Sequence, residues 1–198
     1  MNQKLVQMIK KNWLNIIALS FVALLLFSTE AKAKFQRGLM ELGFFQPKIK
    51  PYTPTKGTFT NYNLNLVDLN GNKLSLNDTK GKVVFINFWA TWCGPCIAEM
   101  PTIQTLYNKF KNRTDVVFAI IEVEGNKKKT ESFIAKRKLD LPIYFAEGTI
   151  PHDLFDGILP STVILDKQGN IAHRTLGAAD YSDEEVVVFL NDLCKQNP

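Results

Sequence analysis

The chain has 198 residues, 45% hydrophobic and 22% charged, which suits one ordinary core and argues against global disorder. Its net charge is +5, but residues 1 to 47 carry six Lys/Arg against two Asp/Glu, whereas residues 48 to 198 carry eighteen against seventeen. The basicity therefore belongs to the N-terminus, and no nucleic-acid partner is expected.

Lys4, Lys10 and Lys11 precede "LNIIALSFVALLLF", Leu14 to Phe27, in which only Asn15 and Ser20 are polar. That pattern belongs to a membrane anchor or an export signal. Fourteen helical residues span ~21 Å against a hydrocarbon core of ~30 Å, so length alone leaves both open. Ala31-Lys32-Ala33 is a passable cleavage site, although Glu30 and Lys32 make its approach unusually charged. We expect residues 1–29 to be retained as a single N-terminal anchor, with secretion after cleavage as the alternative. Basic residues flank the segment on both sides, so orientation is weakly specified; the domain is expected outside the cytoplasm, on the periplasmic side. Phe35, Leu39, Leu42 and Phe45 recur at helical spacing, as in a helix lying on a membrane surface or packed on the domain. Pro47, Pro51 and Pro54 then favour an extended tether. Residues 30–56 read as membrane-proximal helix and tether, and residues 57–198 as the domain.

In the domain, Leu64 and Leu66 alternate with polar neighbours, and Asn70-Gly71 offers a tight turn before Leu74 and Leu76, which predicts a hairpin. "KVVFINFWA", Lys82 to Ala90, reads as a strand buried on both faces. Ile97, Met100, Ile103, Leu106 and Phe110 follow at helical spacing, with Pro101 expected to kink that helix. Val116 to Val123 is a second buried strand, and the crossover implies parallel pairing. A helix is expected from Thr130 to about Lys138, and two strands flank Asp166-Lys167-Gln168-Gly169. Ser182 with Glu185 reads as a capping box opening a last helix. The order β-hairpin, β, α, β, α, β, β, α predicts an α/β fold, a mixed central sheet with helices on both faces.

Cys93-Gly94-Pro95-Cys96 stands where a buried strand gives way to a helix. The free N–H groups of a helix's first turn stabilise a thiolate and lower its pKa, so Cys93 should be an exposed, ionisable nucleophile. Gly94 permits a close turn, and Pro95 fits early in a helix, where its missing N–H costs nothing. A disulfide across two residues constrains little of the unfolded chain, so stability is a weak reason for the pair. Zinc would need further ligands from Cys194, His152 and His173, none closely spaced with another. Reversible redox exchange is the reading the residues favour.

With "FWATWCGPC" and "WCGPCIAEMP" the chain resembles the thioredoxin superfamily, and within it the membrane-anchored TlpA/ResA-type thiol-disulfide oxidoreductases. The likeness covers roughly residues 57 to 196. It implies a thioredoxin-like fold, Cys93 as attacking thiol, Cys96 as resolving thiol, protein disulfides as substrates, and no cofactor. A membrane-embedded thiol donor is the electron source it implies. Leu159-Pro160-Ser161-Thr162 resembles the family's cis-proline loop, which contacts substrate and hinders metal binding. Glu99 matches an acidic position thought to assist proton transfer; where thioredoxin has a buried Asp this chain has Asn87, which carries no proton. Trp92, Gly94, Pro95, Leu159 and Pro160 are the expected substrate surface, and Trp89 is expected in the core. Cys194 reads as a small buried hydrophobe, and Glu122 and Glu124 as neighbours of the site without an assigned role. The other function considered is a copper-binding or chaperone module recruiting His152 or His173. A peroxidase motif ending at Cys93 would need proline at Ile86 and threonine at Ala90, and has neither.

Overall fold

The computed structural model describes residues 3–47, 49 and 62–196. Pro51, Pro54 and the expected domain start at residue 57 lie outside the described residues.

The apolar N-terminal run forms α1, Gln3–Phe27, which ends at Ser28. Ser28 opens α2, Thr29–Glu41, as its N-cap, its Oγ accepting from the Ala31 N–H at 3.2 Å. The cap breaks the helix, and the two parts bend by 101°. No single helix among the described residues is long and apolar enough to cross a membrane. α2 packs on the domain, the second of the two arrangements its spacing allowed. Its buried residues differ from the expected stripe: Ala33 and Met40 are covered, while Phe35 and Leu42 are 47% and 73% exposed.

The domain is built on one seven-stranded sheet. Its strands are β1 (Asn65–Asp68), β2 (Lys73–Ser75), β3 (Val83–Trp89), β4 (Val116–Glu122), β5 (Ile143–Glu147), β6 (Ser161–Leu165) and β7 (Ile171–Leu176), ordered β2-β1-β5-β4-β3-β6-β7. β3 pairs parallel to β4 and β4 parallel to β5; the other pairings are antiparallel, so the sheet is mixed as expected. β5 adds a strand to the expected order, drawn from "LPIYFA". All seven residues of β3 are buried, as an uninterrupted apolar run at the sheet centre requires.

Three helices complete the domain: α3 (Gly94–Phe110), α4 (Lys127–Arg137) and α5 (Glu184–Lys195). The expected placing of helices on both faces is corrected. Val83, Phe85 and Trp89 share one core with Ile97, Met100 and Leu106 of α3, Phe133 of α4, and Val186 and Leu190 of α5. The opposite strand residues Val84, Ile86 and Phe88 pack against Leu64, Leu76 of a short helical turn (Leu76–Thr79), and Leu154. The chain steps from β3 to β4 to β5 in one direction across the sheet, and right-handed crossovers then put α3 and α4 on the same side. The cap of α5 is also corrected: Asp183, not Ser182, accepts from the Glu185 N–H, at 2.9 Å. α4 begins three residues earlier than expected, at Lys127, because Asn126 caps it.

Candidate active site

β3 ends at Trp89, and the chain turns through Ala90, Thr91 and Trp92 into α3. Cys93 is the N-cap of α3, and its Sγ accepts from the Cys96 N–H at 3.2 Å. Gly94 and Pro95 occupy the first helical positions, where a missing N–H breaks no ladder bond. The cysteines are joined as a disulfide with Cα atoms 5.2 Å apart. The sulfur of residue 93 thus sits on the donor end of a seventeen-residue helix. There a negative charge is favoured by both the amide hydrogen bond and the helix dipole.

The expected exposure of that sulfur is not what the fold shows. Cys93 is 4% exposed, Cys96 is fully buried, and Gly94 is buried. The cover is α2. A methyl group at Gly94 would stand 3.6 Å from Thr29 Cγ2 and 3.7 Å from Lys32 Cβ, and Ala33 shares the core with Cys93 and Ile97.

Beneath the cysteines lies a buried polar cluster. Glu99, one turn after Cys96 on α3, is fully buried; its Oε1 accepts from Asn87 Nδ2 at 2.8 Å and its Oε2 from the Ala179 N–H at 3.2 Å. Burial pushes its pKa up to about 8, and the hydrogen bonds from Asn87 and Ala179 pull the other way without offsetting it. Burial therefore favours the neutral form of Glu99, and the side chain is not the exposed helix carboxylate of the alternative reading. Asn87 also donates to Thr162 Oγ1, at 2.9 Å, across the β3–β6 pairing. Tyr181 is buried beside the cluster, its phenol pKa raised by burial and by the Glu99 charge. The partners Thr162, Ala179 and Tyr181 were not read from the sequence, since they come from 63 or more positions downstream of Glu99 and carry no local signal.

The Leu159-Pro160 peptide is cis. Asn87 pairs with Thr162 and Phe88 with Ser161, so the antiparallel register carries Pro160 to the level of Trp89, where the cysteine turn leaves the sheet. Pro160 is buried and Leu159 half-buried. Trp92 is 60% exposed, and its Nε1 donates to Glu124 Oε1 at 2.7 Å, which gives Glu124 a position against the site. Glu122 is buried on β4, its pKa raised by burial, and it accepts from the Asn126 N–H at 3.2 Å. Trp89 is in the core, as expected. Cys194 is a buried free thiol whose pKa burial pushes up to about 11. His173 shares a hydrogen bond with Thr175 Oγ1, and His152 lines a cleft with Tyr62 and Arg174. Among the described residues no three His, Cys, Asp or Glu side chains come together as a metal site.

The Redoxin family profile matches residues 54–188. The chain belongs to the Redoxin family. It is 33% identical over 136 residues to the thiol-disulfide oxidoreductase ResA of Bacillus cereus, covering 68% of this chain and 76% of that one. It is 36% identical over 121 residues to the thioredoxin-like protein YneN of Bacillus subtilis, covering 61% and 71%. Among solved structures, a putative thiol-disulfide oxidoreductase from Bacteroides vulgatus matches with TM-score 0.55 at 30% identity, covering 65% of this chain and 90% of that one. A putative thiol:disulfide interchange protein DsbE from Chlorobium tepidum matches with TM-score 0.59 at 21% identity, covering 72% and 99%, and shows the shared thioredoxin-like fold. This Redoxin-family protein is of the ResA/TlpA type and is a thiol-disulfide oxidoreductase. The copper-module alternative is not favoured.

Proposed function

We propose that the protein is a membrane-tethered reductant of disulfides in exported proteins, acting through Cys93 and Cys96 without a cofactor. The observation that carries this reading is the seat of the Cys93 sulfur on the first turn of α3, hydrogen-bonded by the Cys96 N–H. In the reduced protein the Cys93 thiolate attacks one sulfur of a substrate disulfide. That S–S bond breaks, a Cys93–substrate disulfide forms, and one substrate thiolate leaves and takes up a proton. The Cys96 thiol then gives its proton to Glu99 in its carboxylate form, and the Cys96 thiolate attacks the Cys93 sulfur. The second substrate thiolate departs, and two electrons have passed from the pair to the substrate. Glu99 is the acid-base group in this scheme because it is one turn from Cys96, titrates near 8, and Asn87 cannot carry a proton. Trp92, Gly94, Pro95, Leu159 and Pro160 form the surface that meets the substrate.

The Cys-Gly-Pro-Cys sequence supports the reducing direction, because thioredoxin with the same dipeptide has a potential of about -270 mV. The apolar α1 supports a tether, with the domain on the periplasmic side and a membrane-embedded thiol donor restoring the dithiol. The test is a trap. Cys96→Ser, expressed in full length, should retain substrates as mixed disulfides on Cys93, identified by mass spectrometry after membrane extraction. Recovery of no mixed disulfide that depends on Cys93 would overturn the proposal.

A further inference from the structure

The helix that hides Cys93 also shows what its surface accepts. α2 lies over the first turn of α3, with Thr29 and Lys32 directly on Gly94. It is held at its side by one charge cluster: Glu30 Oε1 is 3.0 Å from Lys136 Nζ and 3.3 Å from Arg137 Nη2, at the end of α4. These cations hold the Glu30 carboxyl below the usual carboxylate range. The seat is not filled. A cleft of about 240 Å³ lined by Glu30, Ala33, Arg37, Ile97, Lys136 and Arg137 remains along α2. A second, of about 390 Å³, continues past Met100, Pro101, Gln104 and Lys138. Met40 anchors the far end of α2 in the core. Over the site itself α2 rests on Thr29, the Cβ of Lys32 and Ala33, and on an ion-pair cluster in which Glu30 and Lys136 are exposed, an arrangement of modest strength.

Exchange requires a substrate sulfur in line with the Cys93 sulfur, at bonding distance. With α2 in place Cys93 is 4% exposed, so no protein disulfide reaches it. We propose that the groove between α3 and α4 beside the disulfide is the docking surface for the exchange partner, that α2 occupies it in the resting protein, and that the partner it fits is an acidic segment. When α2 lifts away, Lys34 and Arg37 go with it, and Lys136, Arg137 and Lys138 remain at the groove without the Glu30 carboxylate. A carboxylate on the partner takes that place, and small side chains beside its cystine let the backbone approach Gly94 as Thr29 does. The inference rests on the exchange reaction proposed above and adds to it the chemistry of the partner and the need to displace α2.

The test uses the full-length reduced protein in neutral detergent micelles. Two cystine peptides of one sequence, with glutamate or lysine beside the cystine, are compared with hydroxyethyl disulfide, a small neutral substrate. The glutamate peptide should be reduced about tenfold faster than the lysine peptide, and Lys136→Glu with Arg137→Glu should invert that preference. Glu30→Arg should raise the rate of iodoacetamide alkylation of Cys93 about fivefold, and adding Lys136→Glu and Arg137→Glu to it should restore protection. Glu30 and Lys136 are exposed, whereas Arg137 is 22% exposed and stacks on the Phe133 ring at 4.0 Å, so circular dichroism first establishes that each variant is folded, and Lys136→Glu alone, at an exposed position, should shift the peptide preference in the same direction. Equal rates for the two peptides, or wild-type alkylation in Glu30→Arg, would overturn the docking surface while leaving thiol exchange intact. No reduction of hydroxyethyl disulfide by any variant would instead overturn the exchange reaction, and the docking surface with it.

Discussion

Replacing Glu99 by glutamine separates the acid-base role of this side chain from its packing. An unfolded chain releases the Glu99 proton near 4.5, while burial moves the folded-state value up to about 8. Between those values the native protein holds one proton more than the unfolded chain. Stability from this group is therefore full below pH 4.5, declines as the pH rises, and is lost above about 8. The decline is at most roughly 5 kcal/mol, since each unit is worth about 1.4. The substituted amide cannot ionise, which removes the decline. Its NH2 group, a donor, stands where Glu99 has one of the two oxygens that accept from Asn87 Nδ2 and the Ala179 N–H, so one of those hydrogen bonds is lost at a cost of about 1 kcal/mol. Urea unfolding should therefore find Glu99→Gln about 1 kcal/mol less stable than wild type at pH 4 and roughly 4 kcal/mol more stable at pH 9.

The rate should move the opposite way. With no group near Cys96 to take its proton, release of substrate from Cys93 should slow about a hundredfold at pH 8 and lose its midpoint near that pH. Stopped-flow measurement of the second exchange step, across the range used for unfolding, reads both. A variant that shows the stability crossover but keeps the wild-type rate profile would refute the proton-transfer role. One with no crossover would refute the buried, neutral carboxyl.

Three further outcomes follow from neighbouring contacts. Asn87→Ala removes a hydrogen bond that lowers the Glu99 pKa, so the pH–rate midpoint should shift above 8 in the same stopped-flow experiment. Trp92→Ala should reduce kcat/KM for protein disulfides about tenfold while changing unfolding free energy by less than about 0.5 kcal/mol, because the ring is exposed and its hydrogen bond runs to Glu124 at the surface. Cys194→Ala should leave the exchange rate at the wild-type value, and Cys194 itself should resist iodoacetamide at pH 8, its pKa being near 11.

The parts legible in the sequence were those with a short period or a compact motif. Val83–Trp89 announced a central strand by its unbroken apolar run, and Cys93 to Cys96 announced the site by their spacing together with their place between a buried strand and a helix. The cis-proline loop was legible only through the resemblance, because nothing in Leu159-Pro160 itself favours cis. What escaped was non-local. Glu99 drew attention by its place on α3, but its burial and its hydrogen bonds to Asn87 and Ala179 join residues far apart in the sequence. The cover over Cys93 was missed for a different reason. The apolar spacing of residues 35–45 points to a different face of the helix, whereas the contact over the site is made by Thr29, the Cβ of Lys32 and Ala33, which leave no hydrophobic signature.

Equilibration of the full-length protein with mixtures of reduced and oxidised dithiothreitol, followed by alkylation and mass spectrometry, tests the redox assignment most directly. Cys93 and Cys96 should convert together as one two-electron couple, with a midpoint of about -270 mV, while Cys194 stays unchanged. A midpoint near about -120 mV would contradict the reducing direction, and a pair that never exchanges with dithiothreitol would contradict the active site itself.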